Sequence, residues 1–256
     1  MNYVLTIAGF DPSAGAGVLA DIKTIEQQED VYGFGVCSSL TAQTEDTFTF
    51  NQWVSKDLIL KQLKPLLERY PINACKIGIM PSLQLTIDII DFIRQFNEDI
   101  QIVVDPIWKA TAGFDFQTDF NVENLMILFE KIDLLTPNRH EFEVIQQILG
   151  EAYTIEKLSQ IGGSILLKGG HSEDEQGVDR LYINGFEFIF KPTANPTQVA
   201  AKHGSGCVLS AAITANLAKG YYIVEAVDKA KKYTERYLKS SSTLLGYHRG
   251  IESIEN

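Results

Sequence analysis

His203-Gly204-Ser205-Gly206-Cys207 runs directly into Val208-Leu209-Ser210-Ala211-Ala212-Ile213, so a glycine-rich loop opens an apolar helix. Small residues let successive backbone N–H groups turn toward one point, and a helix start carries partial positive charge. Together they suit a phosphate, or the charge that develops on one during transfer. Cys207 falls in the first turn, where the same field favours thiolate over thiol and would let it act as a base. The plainer alternative is a tight turn at Gly204 and Gly206 with Cys207 as a small buried hydrophobe. No GxxxxGK[ST] occurs, which disfavours a P-loop NTPase.

Four further segments carry chemistry. Gly9-Phe10-Asp11-Pro12-Ser13-Ala14-Gly15-Ala16-Gly17 follows a strand pattern and satisfies the letters of G-x-G-x-x-A at Gly15 to Ala20. A dinucleotide site also needs an acid at the end of the second strand, and Cys37 to Thr41 holds none. Thr136-Pro137-Asn138-Arg139-His140-Glu141 ends a buried strand, with Asn138 and Glu141 on one helical turn. Their oxygens can share a hydrated Mg²⁺, or they can form a capping box. Asp105-Pro106 and Lys168-Gly169-Gly170 end two more strands, as polar points near a phosphate or as turns. One phosphoryl-transfer site would use Asn138, Glu141, Lys168 and the 203–207 loop together: donors on the transferred group, Mg²⁺ between phosphates, and a base on the attacking hydroxyl.

Short apolar runs alternate with helical patterns, the sign of parallel strands joined by crossover helices in an α/β fold. Strands are expected at Tyr3–Ala8, Ala74–Ile79, Ile102–Asp105, Ile132–Thr136 and Ser164–Lys168. A half-exposed strand pair is expected at Phe34–Ser38 and Phe48–Val54, and a type I′ hairpin at Asn184-Gly185. Helices are expected at 17–29, 57–69, 82–96, 121–129, 138–149, 154–161, 206–219 and 222–245. In the last, Val227, Ala230, Tyr233 and Tyr237 form the apolar stripe, and Lys229, Lys231, Lys232, Glu235, Arg236 and Lys239 are expected on a solvated face.

The chain of 256 residues carries 22 Lys plus Arg against 33 Asp plus Glu, a net charge of -11, which argues against nucleic acid or anionic lipid as partner. An anionic ligand needs a local trap. Hydrophobic residues at 45% supply one large core, and no linker or repeat marks a boundary, so 1–256 is expected to be a single domain. Cys37, Cys75 and Cys207 are scattered, with no disulfide framework or zinc spacing. No targeting segment or apolar span of membrane length occurs. A cytoplasmic location and no membrane partner are expected.

TIAGFDPSAGAG at 6–17, ADIKT at 20–24, SLTAQ at 39–43, KIGIM at 76–80, VVDPI at 103–107, LTPNRHE at 135–141, LLKGGH at 166–171 and HGSGC at 203–207 resemble, in order, the blocks of the ribokinase superfamily. Within it they are similar to the hydroxymethylpyrimidine/phosphomethylpyrimidine kinases of thiamine biosynthesis, where cysteine replaces the aspartate base of the sugar kinases. The resemblance implies a three-layer αβα fold with a mostly parallel central sheet and a small β extension. It implies ATP as co-substrate, Mg²⁺, and an aminopyrimidine substrate phosphorylated on its hydroxymethyl group, with its monophosphate as a second substrate.

It further implies that Cys207 is the base and that the backbone of Gly204, Ser205 and Gly206 forms the anion hole. Asp21 and Gln43 would bond the aminopyrimidine and Met80 would pack near its ring. Asn138 and Glu141 would serve metal and phosphate, and Lys168 would lie near the nucleotide. Phe10, Thr44, Trp108 and Lys202 depart from the family's usual serine, asparagine, methionine and threonine. Pyridoxal or pyridoxine kinase is the alternative within the class, and a non-catalytic ligand-binding homologue the alternative outside it. A homodimer is expected across the strands at 34–54, and 106–119, hinged at Gly113, is a candidate lid.

Overall fold

A computed structural model describes residues 1–107, 121–170, 175–193 and 201–249. The first half runs β1 (Asn2–Phe10), α1 (Gly17–Glu26), β2 (Val31–Gln43), β3 (Phe48–Trp53), α2 (Lys56–Arg69), β4 (Ile72–Ile77), α3 (Leu83–Arg94) and β5 (Gln101–Val104). The second runs α4 (Val122–Lys131), β6 (Leu134–Leu135), α5 (Arg139–Leu149), α6 (Ile155–Ile161), β7 (Ser164–Leu167), β8 (Asp179–Ile183), β9 (Phe186–Phe190), α7 (Ser205–Ala218) and α8 (Ile223–Lys239). All strands lie in one sheet, ordered β3-β2-β1-β4-β5-β6-β7-β8-β9. From β2 through β7 neighbours are parallel, and β3, β8 and β9 are antiparallel additions.

Strand alternation produces the layers, because successive side chains point to opposite faces. Leu5, Ile7, Cys75, Ile77, Ile102 and Val104 pack with α2 to α6 on one face. Val4, Ala74, Val103, Leu134 and Leu166 pack with α1, α7 and α8 on the other. Both faces are covered, which is why these strands read as continuous apolar runs. The layer of α1 lies opposite that of α2 to α6, so the winding reverses between β1 and β4. The crevice beyond their carboxyl ends is where open α/β sheets collect ligands. α7 is buried on every side, and Ala211, Ala215 and Ala218 let it approach β1 and β4 closely.

Most elements match the expectations within a few residues, and Asn184 and Gly185 take φ of 49° and 84°, as a type I′ turn requires. Three expectations are corrected. β2 is not a partner of β3 alone: Val31 to Leu40 pairs in parallel with β1, and only Ser39 to Gln43 forms the antiparallel extension with β3. The apolar residues of its first half pack under the main sheet, which period-two counting around Phe48 does not reveal. The last helix ends at Lys239, with the Ser240 hydroxyl bonded to Tyr237 O, and 240–249 folds back. Lys231 is 7% exposed, donating to Asp179 at 2.7 Å and to Gly177 O at 2.6 Å, rather than lying on a solvated face. Of the candidate lid, all but Pro106 and Ile107 lies outside the described residues, as does Trp108. Among the described residues no helix is long and apolar enough to cross a membrane.

Candidate active site

Two glycine-rich loops meet at the crevice. Gly204 caps α7 at φ 71°, and a Cβ there would lie 2.1 Å from Gly15 O, so only glycine fits. Gly17, at φ 61°, is equally constrained, its Cβ direction blocked by Gly9 O at 2.1 Å. Asp11 stitches the loops together, accepting from the N–H groups of Ser13 and Ala16 at 2.8 Å and lying 2.9 Å from His203 Nε2. Despite burial, the bonds from His203 and Ser13 hold its carboxyl below the usual range. At the start of α7 the Ser205 N–H turns back to Lys202 O at 3.4 Å and the Val208 N–H donates to Gly204 O at 2.9 Å, while those of Gly206 and Cys207 have no carbonyl in a preceding helical turn.

Cys207 is the third residue of α7, 6% exposed, with the Gly17 N–H directed at its sulfur. Burial pushes its thiol up to about 11, Asp21 and Asp105 add to the effect, and Lys76 opposes it. The resting group is therefore a thiol, which corrects the expectation of a thiolate: desolvation outweighs the field at the helix start. The plainer alternative, a buried small side chain beside a tight turn, is what the resting geometry displays.

Lys168, at the end of β7, connects this loop to the strand ends. Its ammonium donates to Asp105 Oδ1 at 2.8 Å and lies 3.9 Å from Glu141 Oε2. Gly206 leaves room for it, since a Cβ there would come within 3.3 Å of Nζ. Asp105 also accepts from Thr136 Oγ1 at 3.1 Å and from Ser210 Oγ at 3.0 Å. Against the opposing effect of burial, Lys168 and Lys76 hold its carboxyl below the ordinary range. The charges of Asp105 and Glu141 hold Lys168 above its own, so it stays a cation.

Asn138 and Glu141 form the capping box of α5: Asn138 N–H donates to Glu141 Oε2 at 2.7 Å and Glu141 N–H to Asn138 Oδ1 at 2.9 Å. Burial raises the Glu141 carboxyl to about 7, Lys168 opposing and Asp105 adding. The other oxygen, Oε1, makes no hydrogen bond among the described residues. One free carboxylate oxygen fits a Mg²⁺ that keeps its waters and arrives on phosphate. The capping-box alternative is thus observed, with Asn138 Oδ1 and Glu141 Oε2 both engaged in it.

The three residues expected on the substrate are less uniform. Asp21 is fully buried, its oxygens taken by Lys76 Nζ at 2.5 Å and Thr6 Oγ1 at 2.6 Å. Burial raises its carboxyl above the ordinary range, with Lys76 and Thr6 opposing. Met80 is likewise 0% exposed, within the core cluster below β4. Gln43 stands partly exposed at the end of β2, its amide donating to Thr41 Oγ1 at 2.9 Å. Sequence reasoning passed over Lys76, the cation between Asp21 and Cys207. Its signal was a single lysine inside the otherwise apolar run Ala74 to Met80. Burial opposes the Lys76 charge, but Asp21, Cys207 and Asp105 raise its pKa.

The sequence model described as phosphomethylpyrimidine kinase matches residues 11–252. The hydroxymethylpyrimidine/phosphomethylpyrimidine kinase of Aquifex aeolicus (strain VF5) is 31% identical over 249 residues, covering 94% of this chain and 95% of that protein. The crystal structure of phosphomethylpyrimidine kinase from Clostridium difficile 630 superimposes with a TM-score of 0.74 at 31% identity, over 92% of this chain and 99% of that one. The pyridoxal kinase of Staphylococcus aureus in complex with ADP gives a TM-score of 0.79 at 26% identity, over 100% of this chain and 96% of that one.

Proposed function

The chain belongs to the phosphomethylpyrimidine kinase family. We propose that it transfers the γ-phosphoryl group of ATP to the hydroxymethyl oxygen of 4-amino-5-hydroxymethyl-2-methylpyrimidine, and then phosphorylates the monophosphate, in thiamine biosynthesis. It does so as one domain over 1–256, as a homodimer in the cytoplasm, with no nucleic-acid or membrane partner. The observation that carries this reading is the junction itself: the start of α7, Lys168 and Glu141 converge at the strand ends, where donors, a fixed cation and a metal-capable carboxylate are all needed.

The N–H groups of Gly204, Ser205 and Gly206 take the transferred phosphoryl oxygens, and Lys168 neutralises charge as it develops. Glu141, with Asn138 beside it, would hold Mg²⁺, which would supply charge neutralisation between the phosphates. Cys207 takes the hydroxymethyl proton, with Lys76 as the cation that favours its ionisation. Asp21 serves by holding Lys76 in place, Gln43 meets the amino edge of the ring, and Met80 supports the floor beneath it. Leu40 and Phe50, 48% and 52% exposed on β2 and β3, offer the dimer surface.

A second reading keeps the site and changes the ring to pyridoxal, favoured by the full-length superposition on the Staphylococcus aureus pyridoxal kinase. ADP release with Mg²⁺-ATP, compared for hydroxymethylpyrimidine, its monophosphate, pyridoxal and no acceptor, separates the two. Higher kcat/KM on the pyrimidines supports the proposal, and preference for pyridoxal overturns it in favour of the second reading. ADP release with none of them points to a non-catalytic homologue.

A further inference from the structure

After α8, residues 240–249 stay against the molecule. Residues 240–249 turn back across the loop that opens α7, and the contact is built from backbone. Leu244 O accepts from His203 N–H at 2.9 Å. Ser241 O and Thr243 O accept from Lys202 Nζ at 2.7 and 2.5 Å. The Tyr237 hydroxyl donates to His203 O at 3.3 Å.

The segment is itself braced. Ser241 Oγ donates to Leu245 O at 2.5 Å, and Tyr247 N–H to Ser240 Oγ at 2.7 Å. The ring of His248 lies 4.7 Å from that of Tyr237. Leu245 reaches the first glycine loop, where a Cβ on Gly15 would meet its Cδ2 at 2.9 Å.

Lys202 is the informative member. It is 6% exposed, and no carboxylate lies within ion-pair distance of it among the described residues. Lysines are almost never this buried without a partner, because the ammonium must give up its water. Here the two carbonyls that replace that water both belong to the returning segment. Lys202 immediately precedes His203 and Gly204, so the position of its backbone and that of the loop cannot vary separately.

We propose that Lys202 and the returning segment 240–249 form a clamp that positions the loop Gly204–Cys207 against Lys168 and Asp105, with Lys202 and Tyr237 as positioning residues. That the clamped loop serves phosphoryl transfer rests on the function proposed above; that it is clamped does not.

The test uses the full chain with Lys202→Met, nearly isosteric but without donors, and Tyr237→Phe, which removes one hydroxyl. Two readouts are taken on folded protein: steady-state kinetics, and iodoacetamide alkylation of each cysteine followed by peptide mass spectrometry. In Lys202→Met, kcat falls about tenfold or more while KM for both substrates stays within about threefold, because loop misplacement is felt at the transition state. Alkylation of Cys207 speeds up about tenfold while Cys75, fully buried under the sheet, stays protected, the signature of local rather than global opening. Tyr237→Phe changes both in the same direction, by about threefold.

Unchanged kcat and unchanged Cys207 alkylation in both variants overturn the clamp. So does faster alkylation of Cys75 in step with Cys207, which means that the whole fold has loosened. If the wild type phosphorylates no ring, the kinase reading falls, and the Cys207 to Cys75 alkylation ratio alone decides the clamp.

Discussion

Replacing Lys76 by Met removes the cation bonded to Asp21 and leaves a fully buried carboxylate whose remaining partner among the described residues is the Thr6 hydroxyl. The variant must either bury the charge or protonate it. Keeping a carboxyl of ordinary pKa about 3.9 neutral at pH 7 costs about 4 kcal/mol, within the ~3–5 kcal/mol typical of breaking a buried ion pair. At pH 5 the same protonation costs only about 1.5 kcal/mol, so the penalty must shrink as the solution is acidified. Adding Asp21→Asn removes the orphaned charge and keeps an acceptor for Thr6. The double variant should lie within about 1 kcal/mol of wild type, since neutral replacement of a buried pair is often harmless. Urea unfolding followed by far-ultraviolet circular dichroism at both pH values measures all three proteins. A Lys76→Met penalty equal at pH 5 and pH 7, or a double variant no more stable than the single, would refute the assignment of Lys76 as the counter-ion of Asp21.

Gly204→Ala forces a side chain into the left-handed region and against Gly15 O, so turnover should drop about a hundredfold or more with a lowered melting temperature; calorimetry and ADP release check it. Glu141, raised to about 7 by burial, contributes stability that is full below its unfolded range and lost as pH rises through about 7. Glu141→Gln should therefore be more stable than wild type at pH 8 by about 3 kcal/mol, the gap closing by about pH 4, while needing more Mg²⁺ for half-maximal rate. With the Cys207 thiol at about 11, kcat/KM should climb about tenfold per unit between about pH 7 and 9. Cys207→Ala should be flat over that range and about a hundredfold slower; a flat wild-type profile removes the thiolate from the reaction.

The layers were legible because buried parallel strands announce themselves as unbroken apolar runs, and Asn184-Gly185 and the Asn138–Glu141 cap are local motifs whose partners lie three residues apart or fewer. Positions immediately after strands were legible too, so Lys168 and Glu141 could be placed together, while the 2.8 Å contact of Lys168 with Asp105 came only from the structure. What could not be read is burial at single polar positions. Asp21 and Lys76 lie 55 residues apart, and nothing local says that α1 and β4 face each other there. Cys207 shows the same limit, since its position at a helix start is local and its desolvation comes from β1, β4 and β5 together. Lys231 and Lys202 carry no local mark of burial and are covered by segments that arrive from elsewhere. The return of 240–249 follows a helical pattern that simply stops, with Ser240 as its only mark.

The most direct test of the central claim follows phosphorus rather than ADP. The protein is incubated with Mg²⁺-ATP and 4-amino-5-hydroxymethyl-2-methylpyrimidine, and the products are read by ³¹P NMR with proton coupling to the ring methylene. Loss of the γ-phosphate signal with appearance of a phosphate ester coupled to that methylene, followed by a diphosphate, is the predicted result. Release of inorganic phosphate alone, or an ester formed only when pyridoxal replaces the pyrimidine, would contradict it.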